Sequence, residues 1–351
     1  MMRSLLLGLA CLATTYGAAL DKRAPTPFSN FTRNEFFKPA ADAQLWGTLY
    51  ARSLQLPDES LLMTWENYPA ESKEYPVNHP IYKSVDGGAT WSNFSAVKDT
   101  QNGWGMRFQP FLYTLPTDFG GYAKGTILAA GVSTPESLKG SVYIDVYASK
   151  DGAKTWDTMG ALLPDRDPKH AQKLVHTTTT DLKNWSDIVE DEAESNYDAR
   201  PGMTTVAHIE STDKWIMTWE RCGVDSCRIY YKISDSPLTF GPIPGTRLQA
   251  TDGSLFTSGP YVTWVRDPYT NNGSGIIIIS TTSSENLLIQ GDNPVEGKWK
   301  KVDINHWSAY SRSVREITIK GTKRLLLGNG GNFGDKKYNG IADAVVPIPK
   351  L

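Results

Sequence analysis

The chain is poor in cysteine and in histidine, with three of the first and five of the second in 351 residues. The histidines (His79, His170, His176, His208 and His306) include no pair at a metal-ligand spacing such as His-x-x-x-His, and no Cys/His set accompanies them. A zinc centre is thereby excluded at the level of motif, and neither a metal nor a cofactor is expected. Basic runs are also lacking: charged residues make up 21% and the formal net charge is −2. Phosphate backbones are bound by clustered Lys and Arg, so nucleic acid is excluded as a partner. After the first dozen residues no stretch is long and apolar enough to cross a bilayer. There is no Gly-x-Ser-x-Gly elbow for a serine hydrolase, and Gly330-Gly331-Asn332-Phe333-Gly334 opens no helix that would cradle a phosphate.

Turn formers and aromatics are abundant instead: Gly 30, Pro 21, Trp 11 and Tyr 16. That mixture suits short strands joined by many turns, and aromatic faces suit sugars. The N-terminus reads as a secretory signal over residues 1–19, with Arg3, an apolar run Leu5–Leu12 and small residues ending Gly17-Ala18-Ala19. Lys22-Arg23 then closes a short dibasic pro-segment, 20–23, which leaves 24–351 as a single secreted domain, expected to be a monomer. Cys11 leaves with the signal, so Cys222 and Cys227 remain to pair in an oxidising compartment, pinning the hairpin CGVDSC. Sequons for N-glycosylation stand at Asn30, Asn93, Asn184 and Asn272.

Two copies of one short pattern organise the chain: Ser84–Trp91 (SVDGGATW) and Ser149–Trp156 (SKDGAKTW), 65 residues apart. In each, the aspartate side chain can accept backbone N–H groups just ahead of it, the glycine accepts φ > 0, and the tryptophan returns to the apolar side as the next strand begins. The pattern resembles the Asp-box of sialidase-like β-propellers. Degenerate returns follow at Trp185, Phe240 and Trp299. Five returns and a C-terminal set of strands completed by the N-terminal segment predict an all-β fold, a six-bladed β-propeller closed by pairing the chain ends. Second strands begin near 61, 126, 215, 276 and 324, in steps of 65, 89, 61 and 48 residues. The long step must hold two blades, which would need about 120–130 residues at the pace of the others. The first two strands of the third blade are therefore expected to be missing, at a seam within 160–169.

Glu66 and Glu220 end their second strands in the same tripeptide, Thr-Trp-Glu. Equivalent positions of different blades project toward one axial face, so the two carboxylates are expected to converge; solvated hairpin carboxylates are the alternative. Paired carboxyls are what glycoside hydrolysis requires. Arg52, Arg200, Arg221, Arg312 and Arg315 fall in similar places, where a guanidinium depresses a carboxylate pKa and donates to sugar hydroxyls; surface charge is the alternative for each. Tyr310 could share a hydrogen bond with a catalytic carboxylate or serve as a core tyrosine. Asp187–Glu194 (DIVEDEAE) reads as a solvated connection, with calcium binding as the alternative.

Taken together, LLMTWENY, SVDGGATW, FQPFLYTLP, RDPKHAQKLVH, ARPGMTTV, WIMTWE, YYKISDSPL and SAYSRSV resemble segments of the fungal secreted exo-α-1,5-L-arabinanases of glycoside hydrolase family 93. The resemblance implies a six-bladed propeller, a retaining mechanism and release of arabinobiose from the ends of arabinan. It matches Glu220 to one of the family's catalytic glutamates, read as the nucleophile, and Tyr310 to the tyrosine that tunes the site. Arg52, Glu66, Arg200 and Arg312 would then line the sugar pocket. The other catalytic glutamate belongs to a Trp-Glu-Pro-Phe-like first strand of the third blade, which this chain lacks at the seam found from the spacing. Two alternatives stay open: a sugar-binding propeller without turnover, and a sialidase. A sialidase would carry a Phe-Arg-Ile-Pro-like motif where this chain has Tyr50-Ala51-Arg52-Ser53.

Overall fold

Short apolar runs cut by Gly, Pro, Asp and Ser give short strands. The computed structural model has 22 of them and no helix among the described residues, which are 25–43, 47–68, 76–137, 139, 142–162, 172–332 and 339–351. The signal and pro-segment lie outside the described residues, as does most of the seam. β1 (Phe31–Phe37) is followed by a first blade of β2 (Thr48–Gln55), β3 (Leu61–Asn67), β4 (His79–Ser84) and β5 (Ser92–Val97). A second blade consists of β6 (Met106–Thr114), β7 (Ile127–Ser133), β8 (Tyr143–Ser149) and β9 (Asp157–Leu162). Next comes a sheet of only two strands, β10 (Leu174–His176) and β11 (Val189–Glu192). Two further four-stranded blades follow: β12 (Arg200–Ile209), β13 (Lys214–Cys222), β14 (Arg228–Ser234) with β15 (Thr246–Arg247), then β16 (Tyr261–Arg266), β17 (Gly275–Thr281), β18 (Ser284–Gly291) with β19 (Lys300–Val302). The last blade is β20 (Ser313–Ile319), β21 (Thr322–Asn329), β22 (Ile341–Val346) and, outermost, β1.

The fold is thus an all-β propeller with five four-stranded blades. The expectation of six blades is met only to that extent, because the sheet in third place has two strands. Closure through the chain ends is as expected: β1 pairs antiparallel with β22, Phe31 opposite Val345 and Phe37 opposite Ile341. The segment that forms β1 shows no strand alternation in sequence. Its register slips twice in seven residues, between Phe31 and Asn34 and between Glu35 and Phe37, which breaks the alternation that marks a strand in sequence.

First strands pack around one axis, β2 against β6 and β20, and β16 against β12 and β20. Apolar side chains fill the seams between blades. Leu54, Leu62, Ile81, Leu112, Ile127 and Tyr147 join the first blade to the second. Trp65, Leu326 and Val345, with Phe31, Phe36 and Phe37 of β1, join the last to the first. Among the described residues no such cluster joins the second blade to the two-stranded sheet, which packs instead on the next blade through Leu174 against Met217, Trp219 and Phe240. As a result the first strands on either side of the short sheet keep apolar side chains in solvent: Phe111 at 43% and Tyr113 at 48% on β6, and Val206 at 44% on β12. Leaving a large apolar side chain exposed forgoes roughly 1.5–3 kcal/mol relative to full burial.

The repeated turns share one network. Ser84 Oγ donates to Asp86 at 2.8 Å and accepts the Gly88 N–H at 2.9 Å, while Asp86 accepts the Thr90 N–H at 2.9 Å and its hydroxyl at 2.7 Å. Ser149, Asp151, Ala153 and Thr155 repeat every bond. Thr179, Asp181, Leu182 and Asn184 rebuild most of it in the short sheet, with Leu182 N–H to Thr179 Oγ1 at 2.8 Å and Asn184 N–H to Asp181 at 2.7 Å. The acidic run is not a solvated connection throughout. Val189–Glu192 is β11, the buried Lys232 ammonium lies 2.6 Å from Glu192 and donates to the Asp191 carbonyl, and Arg221 grips Glu194 through two nitrogens. Those partners make the strand possible, since a row of unpaired carboxylates would repel.

Candidate active site

Three first strands carry the same irregularity at the same height. On β2 the pairing passes from Leu49–Glu66 to Arg52–Thr64, on β6 from Phe108–Val132 to Phe111–Ala130, and on β12 from Gly202–Glu220 to Thr205–Thr218. In each, two residues face one, so each strand carries a one-residue bulge. The first bulged residue is left-handed every time: Tyr50 (φ 51°), Gln109 (φ 51°) and Met203 (φ 53°). Side chains other than Gly and Asn adopt that region rarely, at a strain of about 1–3 kcal/mol, and such strain collects at functional sites. The bulges turn these three side chains toward one another. Tyr50 Oη donates to Met203 Sδ at 2.8 Å, and Gln109 Nε2 lies 3.8 Å from the same sulfur.

Glu66 and Glu220 occupy identical positions, each paired with the residue before its bulge. Both are buried, at 1% and 7% exposure. Glu66 accepts the Tyr68 hydroxyl at 2.5 Å and the Gln109 N–H at 2.6 Å. Burial raises its pKa to about 7, against the opposing pull of those hydrogen bonds and of the Arg52 and Arg107 charges. Glu220 accepts the Gly259 N–H at 2.7 Å. Its pKa is also raised by burial, and the Gly259 bond, the Arg200 charge and a hydrogen bond with Tyr310 work the other way. Tyr310 bonds Tyr50 as well as Glu220, and the two rings meet edge to face at 5.3 Å. Burial and the neighbouring carboxylates, Glu220 and Glu66, push the Tyr310 phenol upward, so it stays a donor.

The glycine-rich stretch holds Tyr310 in place. Gly331 N–H donates to the Thr48 carbonyl at 2.8 Å, and Tyr310 N–H donates to the Gly331 carbonyl at 3.3 Å. A Cβ at Gly330 would sit 2.8 Å from the Leu49 backbone, so the close approach requires glycine. Arg52 is 8% exposed and stacks between the rings of Tyr50 and Tyr261, with its guanidinium on Ser311 O at 2.7 Å and Ser311 Oγ at 2.8 Å. It faces the axis as a buttress. Arg200 lies exposed at the start of β12, within electrostatic reach of Glu220. Arg312 departs from the pocket reading: fully buried, it donates to the carbonyls of Glu285, Asn286 and Trp307. Those carbonyls engage its guanidinium within the fold, so it offers a sugar nothing.

Cys222 and Cys227 form a disulfide immediately beyond Glu220. Among the described residues the one group with metal-ligand proximity is Glu220 with these two cysteines, and oxidised sulfur supplies no thiolate. All four sequon asparagines are exposed, although Asn184 donates its amide to Asp181 and Asn30 accepts from Arg324. Sequence reasoning missed Tyr50, Tyr68, Gln109 and Met203. Only the shared Thr-Trp-Glu hinted at the height of the site, since the bulges follow no common residue type.

Neither protein-family models nor curated protein sequences yield a match to the chain. Solved structures do. The family 93 α-L-arabinofuranosidase of Fusarium graminearum, solved with arabinobiose, is 34% identical over 91% of this chain and 98% of its own, with a TM-score of 0.80. A mutant of the Fusarium enzyme, solved with an iminosugar inhibitor, superposes at a TM-score of 0.81 with the same identity and coverage. The α-L-arabinanase of Penicillium chrysogenum, also solved with arabinobiose, is 33% identical over 91% of this chain and 98% of its own, at a TM-score of 0.81.

Proposed function

The chain belongs to glycoside hydrolase family 93, and from that premise we propose a secreted glycosidase that acts on α-1,5-linked L-arabinan from its ends and releases arabinobiose. The observation that carries the reading is Glu220: a buried carboxyl at the axial end of a second strand, bonded to Gly259 N–H and Tyr310 and clamped by the disulfide that follows it. In a retaining mechanism one carboxyl protonates the leaving oxygen and a second, about 5–5.5 Å away, attacks the anomeric carbon. We read Glu220 as one of this pair. The sequence resemblance made it the nucleophile, but its raised pKa suits the proton donor better, because burial favours the neutral form. Tyr310 would hold it in orientation, and Arg200 would meet sugar hydroxyls at the rim. Arabinan or an arabino-oligosaccharide is the ligand, bound by a monomer.

We also propose that the two-stranded sheet is the outer half of a sixth blade. Its Asp-box-like turn, and the uncovered Phe111, Tyr113 and Val206 on the strands beside it, support that reading. The family's second catalytic carboxyl, as the resemblance places it, would belong to the absent inner half. This favours a second reading of the same site, in which the chain binds arabinan ends with little or no turnover.

Hydrolysis of linear arabinan by the wild type and by Glu220→Gln decides between them. Activity present in the wild type and lost in the variant supports the enzyme, equal and measurable rates refute the assignment of Glu220, and arabinobiose binding without turnover in the wild type supports the second reading. An aryl arabinofuranoside with a good leaving group separates the roles. A variant lacking the acid still cleaves it to the glycosyl-enzyme stage, and one lacking the nucleophile does not.

A further inference from the structure

Glu66 lies three blades from Glu220 in chain order, yet the two are joined by an unbroken set of contacts across the axis. From Glu66 the path runs through the Gln109 backbone N–H to the left-handed bulge of β6, whose side chain reaches Met203 Sδ. Met203 accepts Tyr50 Oη, Tyr50 bonds Tyr310, and Tyr310 bonds Glu220. Glu66 itself is 1% exposed, so a sugar cannot reach its carboxyl without moving Tyr68 or Gln109. The charged or titratable groups packed around it come from four segments: Tyr68 just beyond β3, Tyr50 and Arg52 on β2, Arg107 on β6, and Tyr310 ahead of β20. Such a carboxyl is out of place as a ligand for substrate and well placed to set the geometry of what does touch it.

We propose that Glu66 is a positioning residue whose charge, carried through the Tyr50–Tyr310 pair, sets the protonation behaviour of Glu220. The inference takes Glu220 as the working carboxyl of the site, as proposed above. It replaces the reading of Glu66 as a sugar ligand. When Glu66 is ionised, its charge opposes ionisation of both tyrosines, so Tyr310 holds its proton more tightly and donates more weakly to the Glu220 carboxylate. When Glu66 is neutral that bias is gone, and the link between the two carboxyls makes their titrations a coupled set. Burial placing the Glu66 pKa at about 7 puts this change within reach of ordinary pH.

The test needs no turnover. Glutamate carboxyl carbons are labelled with 13C in the intact protein and titrated by NMR, with Glu66→Gln and Glu220→Gln assigning the two resonances. Glu66 is expected to titrate near pH 7. In Glu66→Gln the Glu220 midpoint falls by roughly half a pH unit, and in the charge-retaining Glu66→Asp it stays close to the wild type. In a Tyr310→Phe background, Glu66→Gln moves Glu220 no further. Superposable Glu220 curves in the wild type and Glu66→Gln overturn the proposal, as does an unchanged shift in the Tyr310→Phe background, which would mean that the tyrosines carry nothing. Arabinobiose titrations on the same samples report separately on the ligand, so failure to bind counts against the proposed function and leaves the carboxyl coupling to be judged on its own result.

Discussion

Replacing Glu66 by glutamine removes the electrostatic penalty of ionising a buried carboxyl in the site. The carboxyl is 1% exposed, and its pKa in the folded chain is about 7 against 4.5 for the free group. A raised carboxyl pKa means that the folded state holds the proton more tightly than the unfolded state. The stabilisation it brings is complete below pH 4.5 and is lost as pH rises through 7. The gap of two and a half pH units, at 1.36 kcal/mol each, amounts to about 3 kcal/mol, and burial leaves little solvent to screen it. Glutamine keeps an oxygen for the Gln109 N–H and cannot ionise. Urea unfolding of both proteins from pH 4.5 to 8.5 gives the two stabilities at each pH, and their difference cancels every other titrating group. The variant should gain about 3 kcal/mol on the wild type across that range. A difference that stays flat with pH refutes the reasoning, since Glu66 would then ionise in the fold as freely as in water.

The buried His306 works in the opposite direction. Burial, with the Arg312 charge beside it, lowers its pKa from 6.5 to about 3, so its stabilisation is present above pH 6.5 and drains away as pH falls toward 3. His306→Asn should lose less stability than the wild type between pH 6.5 and 4, by about 3 kcal/mol, read from thermal unfolding at each pH; parallel curves would show that the ring is protonated without penalty. Gly223 follows Cys222 with φ +81°, and a Cβ there would meet the Asp198 carbonyl at 1.8 Å. Gly223→Ala should destabilise by more than the ~1–2 kcal/mol of the left-handed backbone alone and weaken arabinobiose binding by displacing the loop after Glu220. A melting temperature and an affinity both equal to the wild type would contradict this.

What could be read in the sequence follows from how each feature is encoded. The two glutamates were found because strand alternation sends Trp65 and Trp219 inward and leaves Glu66 and Glu220 at the strand ends, in one tripeptide. The short third sheet was visible as a shortfall in spacing, because a repeat is a length before it is a structure. The bulges were invisible. Left-handed backbone announces itself when glycine or asparagine occupies it, and here it is occupied by Tyr50, Gln109 and Met203. Arg312 was misplaced for a related reason: its neighbour Tyr310 faces the site, and only the carbonyls of the preceding blade, distant in sequence, show that the arginine turns away.

The pairing that closes the ring also sets a clock. Phe31 meets Val345, 314 residues later in the chain. At a synthesis rate of about 5–20 residues per second, β1 exists for roughly 15–60 s before its partner has been made. Through that interval its backbone edge is unpaired, and Phe36 and Phe37 have no Trp65-lined seam completed by Val345 to enter. The blades between can assemble in order as they emerge, each on the one before. β1 must wait for β22, and until that strand emerges a nascent chain of this kind carries a sticky edge that only its late partner can cover.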